Sequence, residues 1–463
     1  MTGSPALRTD RYELTMVDAA MQSGTHDREC VFEAFSRHLP PTRRYGVVAG
    51  TGRLLELIEQ FRFGDEELAW LRENAVVAPA TLDWLADYRF SGTVYGYQEG
   101  EVYFPGSPIL LVDAPFAEGV VLETLVLSVL NYDSAVASAA ARMVSAAMGR
   151  PLAEMGSRRA NEHAAVAAAR AAFIAGFSAT SNLEAGRHWG VPTMGTAAHA
   201  FTLLHDSEEE AFRAQVKALG VGTTLLVDTF DVHNAIDMAI KVAGPRLGAV
   251  RLDSGDLPNL VGEVRRHLDD LGAVNTRITV TNDLDEYTIA ALAASPVASY
   301  GVGTSVVTGS GTPASGMVYK LVAHRDAAGE WVSVAKKSEG KISIGGRKHP
   351  ARRIGSNGKA TAEVIRMLGD APSAPSAATR AGDAATAATG SVLAPARTLD
   401  VGQGRRERDL LVPLVVDGVP DQRFLGVQGT ALAREHRAAA TAELPDAAFR
   451  LSRGDPVLPT LYE

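Results

Sequence analysis

The sequence predicts an α/β barrel joined to an α+β domain, and three observations support this fold class. Short apolar segments recur through the middle of the chain, and each of them runs directly into polar residues. Alanine-rich sequence of helical character fills the gaps between these segments. The N-terminal part differs, because helical and strand patterns alternate there with Pro and Gly turn signals. In an α/β barrel the reactive groups collect at the carboxyl ends of the strands, so the pattern also predicts where the chemistry lies.

Five segments are predicted to be buried strands that deliver polar side chains into the following loops. They are VPTMGTAAHAF around His199, TLLVDTFDV around Asp228, GAVRLDSGDL around Asp253, ITVTNDLDEY around Asn282 and SYGVGTSVVTG around Thr304.

The remaining elements suggest three regions: an N-terminal α+β domain over residues 1–118, the barrel with the active site over 119–330, and a C-terminal segment over 331–463 that packs on the N-terminal domain. Helices are predicted over residues 10–23, 54–61, 65–73 and 429–441, with two long helical stretches within 119–148. Strands are predicted over residues 31–39, 45–49 and 409–416, with an antiparallel region over 90–111 and a β-rich hairpin over 331–353. Residues 371–397 are low-complexity Ala/Ser/Thr/Pro sequence and are predicted to form a mobile insertion.

Composition indicates a globular enzyme without nucleic-acid or membrane partners. The chain has 463 residues, 46% of them hydrophobic and 21% charged, which predicts two or three domains. A net charge of −9 argues against nucleic-acid binding. Cys30 is the only cysteine, so no intrachain disulfide can form. The most apolar run, residues 119–132, is interrupted by Glu123 and is too short to span a bilayer, and no signal peptide is recognised, so we expect a cytoplasmic protein.

His199 is the first candidate functional residue. A lone histidine at a strand end is more often structural or solvated than catalytic. The preceding Gly195-Thr196 turn changes that balance, since its backbone N–H groups can meet a phosphate or a carboxylate. His199 is therefore a candidate base or phosphoryl acceptor.

The second candidate site is Arg251-Leu252-Asp253-Ser254-Gly255-Asp256. A surface ion pair followed by a turn would explain it equally well. However, Arg251 and Asp253 are two residues apart on a strand and share one face. The carboxylates of Asp253 and Asp256 suit ribose hydroxyls or a water-bridged Mg²⁺, and the guanidinium suits a carboxylate or phosphate.

The third candidate is Gly301-Val302-Gly303-Thr304, a short Gly-rich turn at a late barrel strand, where such folds commonly hold phosphate. Asn282 and Asp228 are weaker signals, because either can cap the next helix. The arginines of EMGSRRAN, including Arg159, form either a solvated helix start or an anion clamp. Tyr12 has the periodicity of an ordinary helix aromatic. Together these residues suggest a phosphorylated sugar and an anionic co-substrate.

The ordered set of these motifs resembles the nicotinate phosphoribosyltransferase family. The resemblance runs through TDRYELTM, EMGSRRA, GTAAHAF, LLVDTFDV, VRLDSGDL, TNDLDEY, GVGTSVVT and VYKLV, and covers nearly everything except residues 371–397. It implies a type II phosphoribosyltransferase fold, with an irregular α/β barrel and a domain built from N-terminal and C-terminal segments. It also implies that nicotinate and 5-phosphoribosyl 1-diphosphate are joined with Mg²⁺ and ATP hydrolysis, in a homodimer with shared active sites.

The resemblance also implies roles for individual residues. His199 matches the histidine that is transiently phosphorylated. Tyr12 would stack on the pyridine ring from the neighbouring subunit. Thr196 and Arg251 would hold the nicotinate carboxylate, and Arg159 would assist near this carboxylate and the 5′-phosphate.

The sugar side of the site follows by the same matching. Gly303 and Thr304 would hold the 5′-phosphate. Asp253, Asp256 and Asn282 would face ribose or Mg²⁺, with Asp253 as a metal ligand directly or through water.

Two departures from the family pattern and three rival functions remain. Ala200 stands where relatives commonly carry Ser, and Gly345-Gly346 replaces a Pro-Gly-like turn. A nicotinamide-using relative would carry an acid at the position of Ala197. A catalytically silent phosphate-binding barrel would bind without turnover. A sugar-phosphate lyase would need a Schiff-base lysine at a strand end, and none of the five segments has one.

Overall fold

The computed structural model describes residues 4–336, 343–368 and 406–463, together with the backbone of 398–400. The predicted insertion at 371–397 lies outside the described residues. The chain forms two compact units. The first unit contains the described parts of Met1–Asn131, Ser315–Ala448 and Arg453–Glu463, and the second contains Tyr132–Ala314 and Phe449–Ser452.

The first unit is built on a seven-stranded sheet in the order β13-β12-β1-β5-β3-β18-β19. These strands are β1 (Glu29–Ser36), β3 (Thr93–Tyr97), β5 (Pro108–Pro115), β12 (Met317–Arg325), β13 (Trp331–Ser333), β18 (Leu411–Val416) and β19 (Val419–Pro420). After its first residue β1 is buried on both faces, which explains its nearly continuous apolar sequence ECVFEAFS.

In the described part of the first unit, two smaller sheets and six helices lie wholly within this unit. A five-stranded sheet has the order β16-β17-β14-β15-β20, and a two-stranded sheet pairs β2 with β4. These strands are β2 (Gly46–Val47), β4 (Val102–Tyr103), β14 (Lys348–Ile354), β15 (Ala360–Met367), β16 (Thr398–Asp400), β17 (Arg406–Asp409) and β20 (Thr460–Tyr462). The helices are α1 (Arg11–Ser23), α2 (Thr51–Gln60), α3 (Asp65–Glu73), α4 (Pro79–Asp87), α5 (Phe116–Val120) and α15 (Gly426–Ala442).

The second unit is a parallel half-barrel. Its six strands have the order β7-β6-β11-β10-β9-β8 and all neighbouring pairs are parallel. They are β6 (Leu152–Glu154), β7 (Ala179–Thr180), β8 (Thr224–Leu226), β9 (Ala249–Leu252), β10 (Arg277–Val280) and β11 (Ser299–Val302). The helices are α7 (Glu162–Ala175), α8 (Leu183–Trp189), α9 (His199–Leu204), α10 (Glu208–Leu219), α11 (Val232–Ala243), α12 (Leu257–Asp270), α13 (Glu286–Ala291) and α14 (Thr304–Val307).

Four of the five predicted barrel strands are confirmed as β8, β9, β10 and β11. The fifth, around His199, is wrong: Thr193 forms only an isolated bridge to Thr180, and His199 begins helix α9. Two strands were missed, β6 and β7, because three and two residues are too few to show a period.

The unit boundaries differ from the predicted ones at 118 and 330. Helix α6 (Glu123–Ala146) continues across the first boundary, so no linker marks it in the sequence. The predicted second long helix there is the short α5. Strand β12 pairs antiparallel with β1 and so belongs to the first unit. The segment 331–353 is not one hairpin, because β13 pairs with β12 whereas β14 pairs with β15 and β17.

One helical stretch, Phe116–Ala146, is long and apolar enough to cross a membrane. However, 67% of its most apolar part is buried inside the protein. A core helix of this length satisfies the same criteria, so the stretch is weak evidence for a membrane span.

The departure at Gly345-Gly346 has a local explanation. A Cβ atom on Gly345 would lie 2.5 Å from the carbonyl oxygen of Val334. Gly346 has a φ of +91°, which favours glycine, and its N–H donates to the Val322 carbonyl at 2.7 Å. Close backbone approach therefore favours glycine at 345, and a left-handed backbone conformation favours it at 346.

Candidate active site

A polar cleft lies at the carboxyl ends of β6, β9, β10 and β11 in the second unit. This is the edge at which the side chains that follow parallel strands meet. Its lining residues are Met155, Arg158, Arg159, Arg251, Asp253, Thr281, Asn282, Asp283, Gly301, Gly303 and Thr304. Six of the sequence-predicted site residues are therefore brought together: Arg159, Arg251, Asp253, Asn282, Gly303 and Thr304.

Arg251 is the best-connected side chain of the cleft. Its Nη1 donates to the Thr196 hydroxyl at 2.8 Å and to the Ala197 carbonyl at 3.2 Å. Its Nε donates to the Thr281 hydroxyl at 2.8 Å. Only 13% of the side chain is exposed. The guanidinium is thus held in one orientation, with Thr196 beside it.

Asp253 completes this arrangement. Its Oδ1 accepts from Arg251 Nη2 at 3.1 Å and from the Thr281 hydroxyl. Burial alone would raise the pKa of the Asp253 carboxyl. The Thr281 hydrogen bond, Arg251 and His199 outweigh burial, and the pKa lies below its usual range. Asp253 is therefore ionised at neutral pH.

His199 faces two carboxylates. Its Nδ1 lies 3.1 Å from the Thr229 hydroxyl. Its Nε2 lies 3.9 Å from Asp228 Oδ1 and 3.9 Å from Asp253 Oδ2. The side chain is 40% exposed, so a ligand can reach the ring. Thr196 and His199 do not line the cleft itself, but the bonds to Arg251 and the approach to Asp253 join them to it.

Asp228, the second carboxylate near His199, accepts hydrogen bonds from the residues that follow β9. Its side chain is 2% exposed, and its Oδ2 accepts from Asp253 N and from the Ser254 hydroxyl, each at 2.8 Å. Its Oδ1 is buried, and no described residue donates a hydrogen bond to it. A buried, unpaired carboxylate oxygen is costly unless a cation or a donor reaches it. Asp228 therefore has an unused acceptor aimed toward His199.

Two predicted residues, Asp256 and Tyr12, are not among the residues that line the cleft. Asp256 is the N-cap residue of α12, and its Oδ2 accepts from Asn259 at 2.7 Å. It is exposed and does not line the cleft. Tyr12 belongs to the first unit, in the first turn of α1, and is 46% exposed.

Of the lining residues, Met155 and Thr281 were not predicted as site residues, whereas Arg158 and Asp283 stand beside Arg159 and Asn282 in the predicted motifs. Asp228 was only a weak signal. Arg158 stands in the doublet that pointed to Arg159. Thr281 ends the ITVT segment and lies beside Asp253 because β9 and β10 pair in the register Thr279 to Arg251. The register between two strands cannot be recognised from the sequence of either strand alone.

The surroundings of Tyr12 are acidic. Burial, together with Glu123, Glu13 and Asp10, raises the pKa of Tyr12 to about 12. Burial also raises the pKa of Glu13 to about 7. Glu13 is fully buried, and its Oε1 accepts from Thr124 N at 2.9 Å and from the Thr124 hydroxyl at 2.6 Å.

Glu13 gives a pH-dependence prediction. The pKa of Glu13 is raised from 4.5 to about 7 in the folded chain, so the folded state favours the protonated carboxyl. This contribution to the free energy of unfolding is fully present below pH 4.5 and is lost as pH rises through about 7. Glu13→Gln keeps the acceptor for Thr124 without the charge. Between about pH 5 and 8, the Tm of the parent should fall by roughly 2–4 °C relative to the variant. Thermal melts across that range test this, with exposed Glu66→Gln as the control; parallel curves for Glu13→Gln and the parent would contradict it.

The half-barrel fold has close counterparts among solved structures. The chain matches human nicotinic acid phosphoribosyltransferase with a TM-score of 0.77, 24% identity, and coverage of 98% of this chain and 97% of that one. It matches nicotinate-nucleotide pyrophosphorylase from Pyrococcus furiosus with a TM-score of 0.71, 23% identity, and 95% coverage of both chains. At these identities the likeness concerns the fold.

The chain therefore has the mixed α/β fold, with a parallel half-barrel, of these two structures. Residues 7–131 match the model of the nicotinate phosphoribosyltransferase (NAPRTase) N-terminal domain. The chain is 50% identical to nicotinate phosphoribosyltransferase pncB1 of Mycobacterium tuberculosis, over 98% of this chain and 94% of that protein. It is 37% identical to nicotinate phosphoribosyltransferase of Bacillus subtilis, over 76% of this chain and 74% of that protein. The chain therefore belongs to the nicotinate phosphoribosyltransferase family.

Proposed function

We propose that the protein joins nicotinate to 5-phosphoribosyl 1-diphosphate, giving nicotinate mononucleotide and diphosphate, with ATP hydrolysis coupled to the reaction. The observation that carries this proposal is the Arg251 guanidinium, fixed beside Thr196, together with Arg158, Arg159 and Thr304, which line the same cleft as Arg251. We call Arg251 and Thr196 the carboxylate side of the site, because they suit the substrate carboxylate, and Arg158, Arg159 and Thr304 the phosphate side.

The carboxylate side favours nicotinate over nicotinamide. Arg251 and the Thr196 hydroxyl are donors that a planar carboxylate can accept from. Ala197 contributes a methyl group and a carbonyl that Arg251 already occupies, so no acid is present there to accept from an amide or to repel a carboxylate. The lack of such an acid supports the acid substrate.

The phosphate side has backbone and cationic donors. Thr304 begins α14 directly after Gly303, so its hydroxyl and the backbone of this turn are available to the 5′-phosphate. Arg158 and Arg159 line the same cleft and suit the diphosphate. Asp253 and Asn282 line the same cleft and suit the hydroxyls of a ribose.

The transfer step needs little proton chemistry. The pyridine nitrogen of nicotinate has a free electron pair, so it attacks C1 of the ribose without a general base. The bond from C1 to the diphosphate oxygen breaks as the new C–N bond forms, and positive charge develops on the ribose. Binding of the departing diphosphate by the arginines and orientation of the ring by Arg251 are then the main contributions of the protein.

His199 is proposed as the phosphoryl acceptor that couples ATP hydrolysis. If Nδ1 carries the proton and donates it to Thr229, the electron pair of Nε2 is free to attack. The Nε2–P bond forms as the bond from the terminal phosphorus to ADP breaks, and water later releases phosphate. Phosphorylation would place negative charge next to Asp228 and Asp253 and so change the substrate site.

The donor set near His199 fits Mg²⁺. No group of three or more His, Cys, Asp or Glu side chains suited to a metal occurs among the described residues. Mg²⁺ needs only one or two carboxylates besides water and phosphate. Asp253, directly or through water, and the unpaired Oδ1 of Asp228 would hold it. Bound there, it would neutralise phosphate charge that the two carboxylates otherwise repel.

A cytoplasmic homodimer with shared active sites is also part of the proposal. Exposed apolar side chains accompany His199 and its partner Thr229: Leu203 and Leu204, in the helix that begins at His199, are 62% and 77% exposed, and Phe230, next to Thr229, is 65% exposed. A partner subunit would cover such groups. Its Tyr12 would then stack on the pyridine ring, as the family resemblance implies.

Product analysis tests the proposed function. The purified protein is incubated with nicotinate, 5-phosphoribosyl 1-diphosphate and MgATP, and the products are followed by mass spectrometry and diphosphate release. We expect nicotinate mononucleotide and diphosphate in equal amounts. Substrate binding without diphosphate release would instead indicate a catalytically silent barrel.

A further inference from the structure

A buried carboxylate lies directly beneath the arginine loop of the cleft. Glu154, the last residue of β6, is 0% exposed. One carboxylate oxygen accepts from the Gly156 N–H, and the other accepts from the Thr180 hydroxyl at 2.5 Å. Within the described residues it forms no ion pair with Lys, Arg or His. Burying a carboxylate without a cation is costly, and two hydrogen bonds offset this only in part.

The hydrogen bonds of Glu154 belong to a closed ring. Asn182 N donates to the Thr180 hydroxyl oxygen at 3.0 Å, and Asn182 Nδ2 donates to the Ser157 hydroxyl oxygen at 3.0 Å. The ring therefore runs Glu154, Gly156-Ser157, Asn182, Thr180 and back to Glu154. It ties the residues after β6 to those after β7 at two points. We call this set the Glu154 ring.

The segment held by the Glu154 ring carries Arg158 and Arg159, which line the cleft. Ser157 begins a 3-10 turn, Ser157–Arg159, that contains both arginines. A Cβ atom on Gly156 would lie 2.3 Å from Val307 Cγ1 and 2.9 Å from the Gly303 carbonyl oxygen, so this backbone packs directly against the Gly303-Thr304 turn. Met155 N donates to the Val302 carbonyl at 2.8 Å. The ring thus fixes the distance between the arginines and the phosphate turn.

We propose that Glu154 and Thr180 are positioning residues, which act through Gly156 and Ser157 to hold Arg158 and Arg159 in place for a diphosphate group. Neither Glu154 nor Thr180 is among the residues that line the cleft. The ring sets the affinity for the diphosphate-bearing substrate and leaves the affinity for the pyridine acid unchanged, since no ring member bonds to Arg251 or Thr196. This inference rests on the proposed function for the identity of the substrate.

Thr180 offers a matched pair of variants. Thr180→Val keeps the shape and removes the hydroxyl, so Glu154 loses one donor and Asn182 N loses its acceptor. Thr180→Ser keeps the hydroxyl. We expect Thr180→Val to raise KM for 5-phosphoribosyl 1-diphosphate about tenfold and KM for nicotinate less than twofold, because misplacement of anion donors is felt where the anion binds. Thr180→Ser should restore both values to within about twofold of the parent. Equal effects on the two KM values, or no rescue by Ser, would overturn the proposal.

A double-mutant cycle separates positioning from general destabilisation. In a background of Arg158→Ala and Arg159→Ala, Thr180→Val should raise KM for the diphosphate substrate less than twofold further, because the groups it positions are gone. A full additional tenfold increase would show that the ring acts elsewhere. If Thr180→Val does not fold, Ser157→Ala replaces it. That variant removes only the bond to Asn182, and we expect about a threefold increase in the same KM, again absent in the arginine-free background.

Calorimetric titration with inorganic diphosphate tests the inference without turnover. The parent and Thr180→Ser should bind diphosphate with similar Kd values, and Thr180→Val about tenfold more weakly. Equal binding by all three would overturn the positioning role. If the parent failed to convert nicotinate but this order of Kd values held, the proposed function would fail and the ring's role would stand.

Discussion

Replacing Arg251 by methionine is expected to lower kcat/KM for nicotinate by about 100- to 1000-fold, or roughly 3–4 kcal/mol. Methionine keeps much of the apolar stem but removes every donor. The substrate carboxylate loses a charge-assisted partner, which accounts for part of this. The remaining loss in kcat/KM follows because Asp253 and Thr281 no longer contact the guanidinium that orients them. Steady-state kinetics with nicotinate as the varied substrate measures the effect.

Two comparisons sharpen this prediction. Arg277→Met is the control, since this exposed arginine lies at the other end of the adjacent strand β10, and it should change kcat/KM less than twofold. Arg251→Lys should fall between the parent and the methionine variant, because lysine keeps the charge but not the planar fork that reaches both Thr196 and Asp253. A loss of less than tenfold for Arg251→Met would exclude it as the carboxylate anchor.

Replacing His199 by glutamine is expected to abolish labelling of the protein by ATP that carries a radioactive terminal phosphate. The ratio of kcat/KM with ATP to that without ATP should fall to about one, because no ring nitrogen remains to accept the phosphoryl group. Phosphoamino-acid analysis of the parent should find acid-labile phosphohistidine. Full ATP stimulation in the variant would show that the coupling route does not pass through His199.

His205 supplies the matched control for this experiment. It follows the same helix α9, and its Nδ1 lies 2.8 Å from the Phe201 carbonyl oxygen. His205→Gln should retain both the label and the ATP ratio. Loss of label in this variant as well would point to damage of α9 rather than to removal of the acceptor.

The sequence was sufficient to predict three of the four strands that carry the cleft, namely β9, β10 and β11, but not β6. Segments β8 to β11 are apolar, evenly spaced and followed by polar residues, so their type and their common edge follow from pattern alone. The pairing of Arg251 with Asp253 also followed, because residues two apart on a strand share a face. Predictions of this kind need only local periodicity and the direction of parallel strands.

The remaining features of the site depend on contacts between distant segments. Thr281 reaches Asp253 only through the register of β9 and β10, and Asp228 reaches Asp253 N only through the pairing of β8 and β9. The segment before His199 has a strand-like composition. However, its only strand-type pairing among the described residues is one bridge from Thr193 to Thr180, and helix α9 begins at His199. Tertiary pairing, rather than propensity, decided these cases.

The limits of the two units could not be predicted from the sequence for a similar reason. Helix α6 is continuous where the units divide, and β12 joins the first unit by pairing with β1, far away in the chain. Neither event leaves a composition change that marks a boundary.

The most direct test of the account is turnover of nicotinate compared with nicotinamide, each with and without ATP. The fixed pair of Arg251 and Thr196, with Ala197 beside them, predicts that nicotinate is used at least 100-fold more efficiently, since an amide leaves the guanidinium without an anionic partner. ATP is predicted to raise turnover of nicotinate. Equal use of the two pyridines, or preference for nicotinamide, would contradict the assignment of this cleft to the pyridine acid.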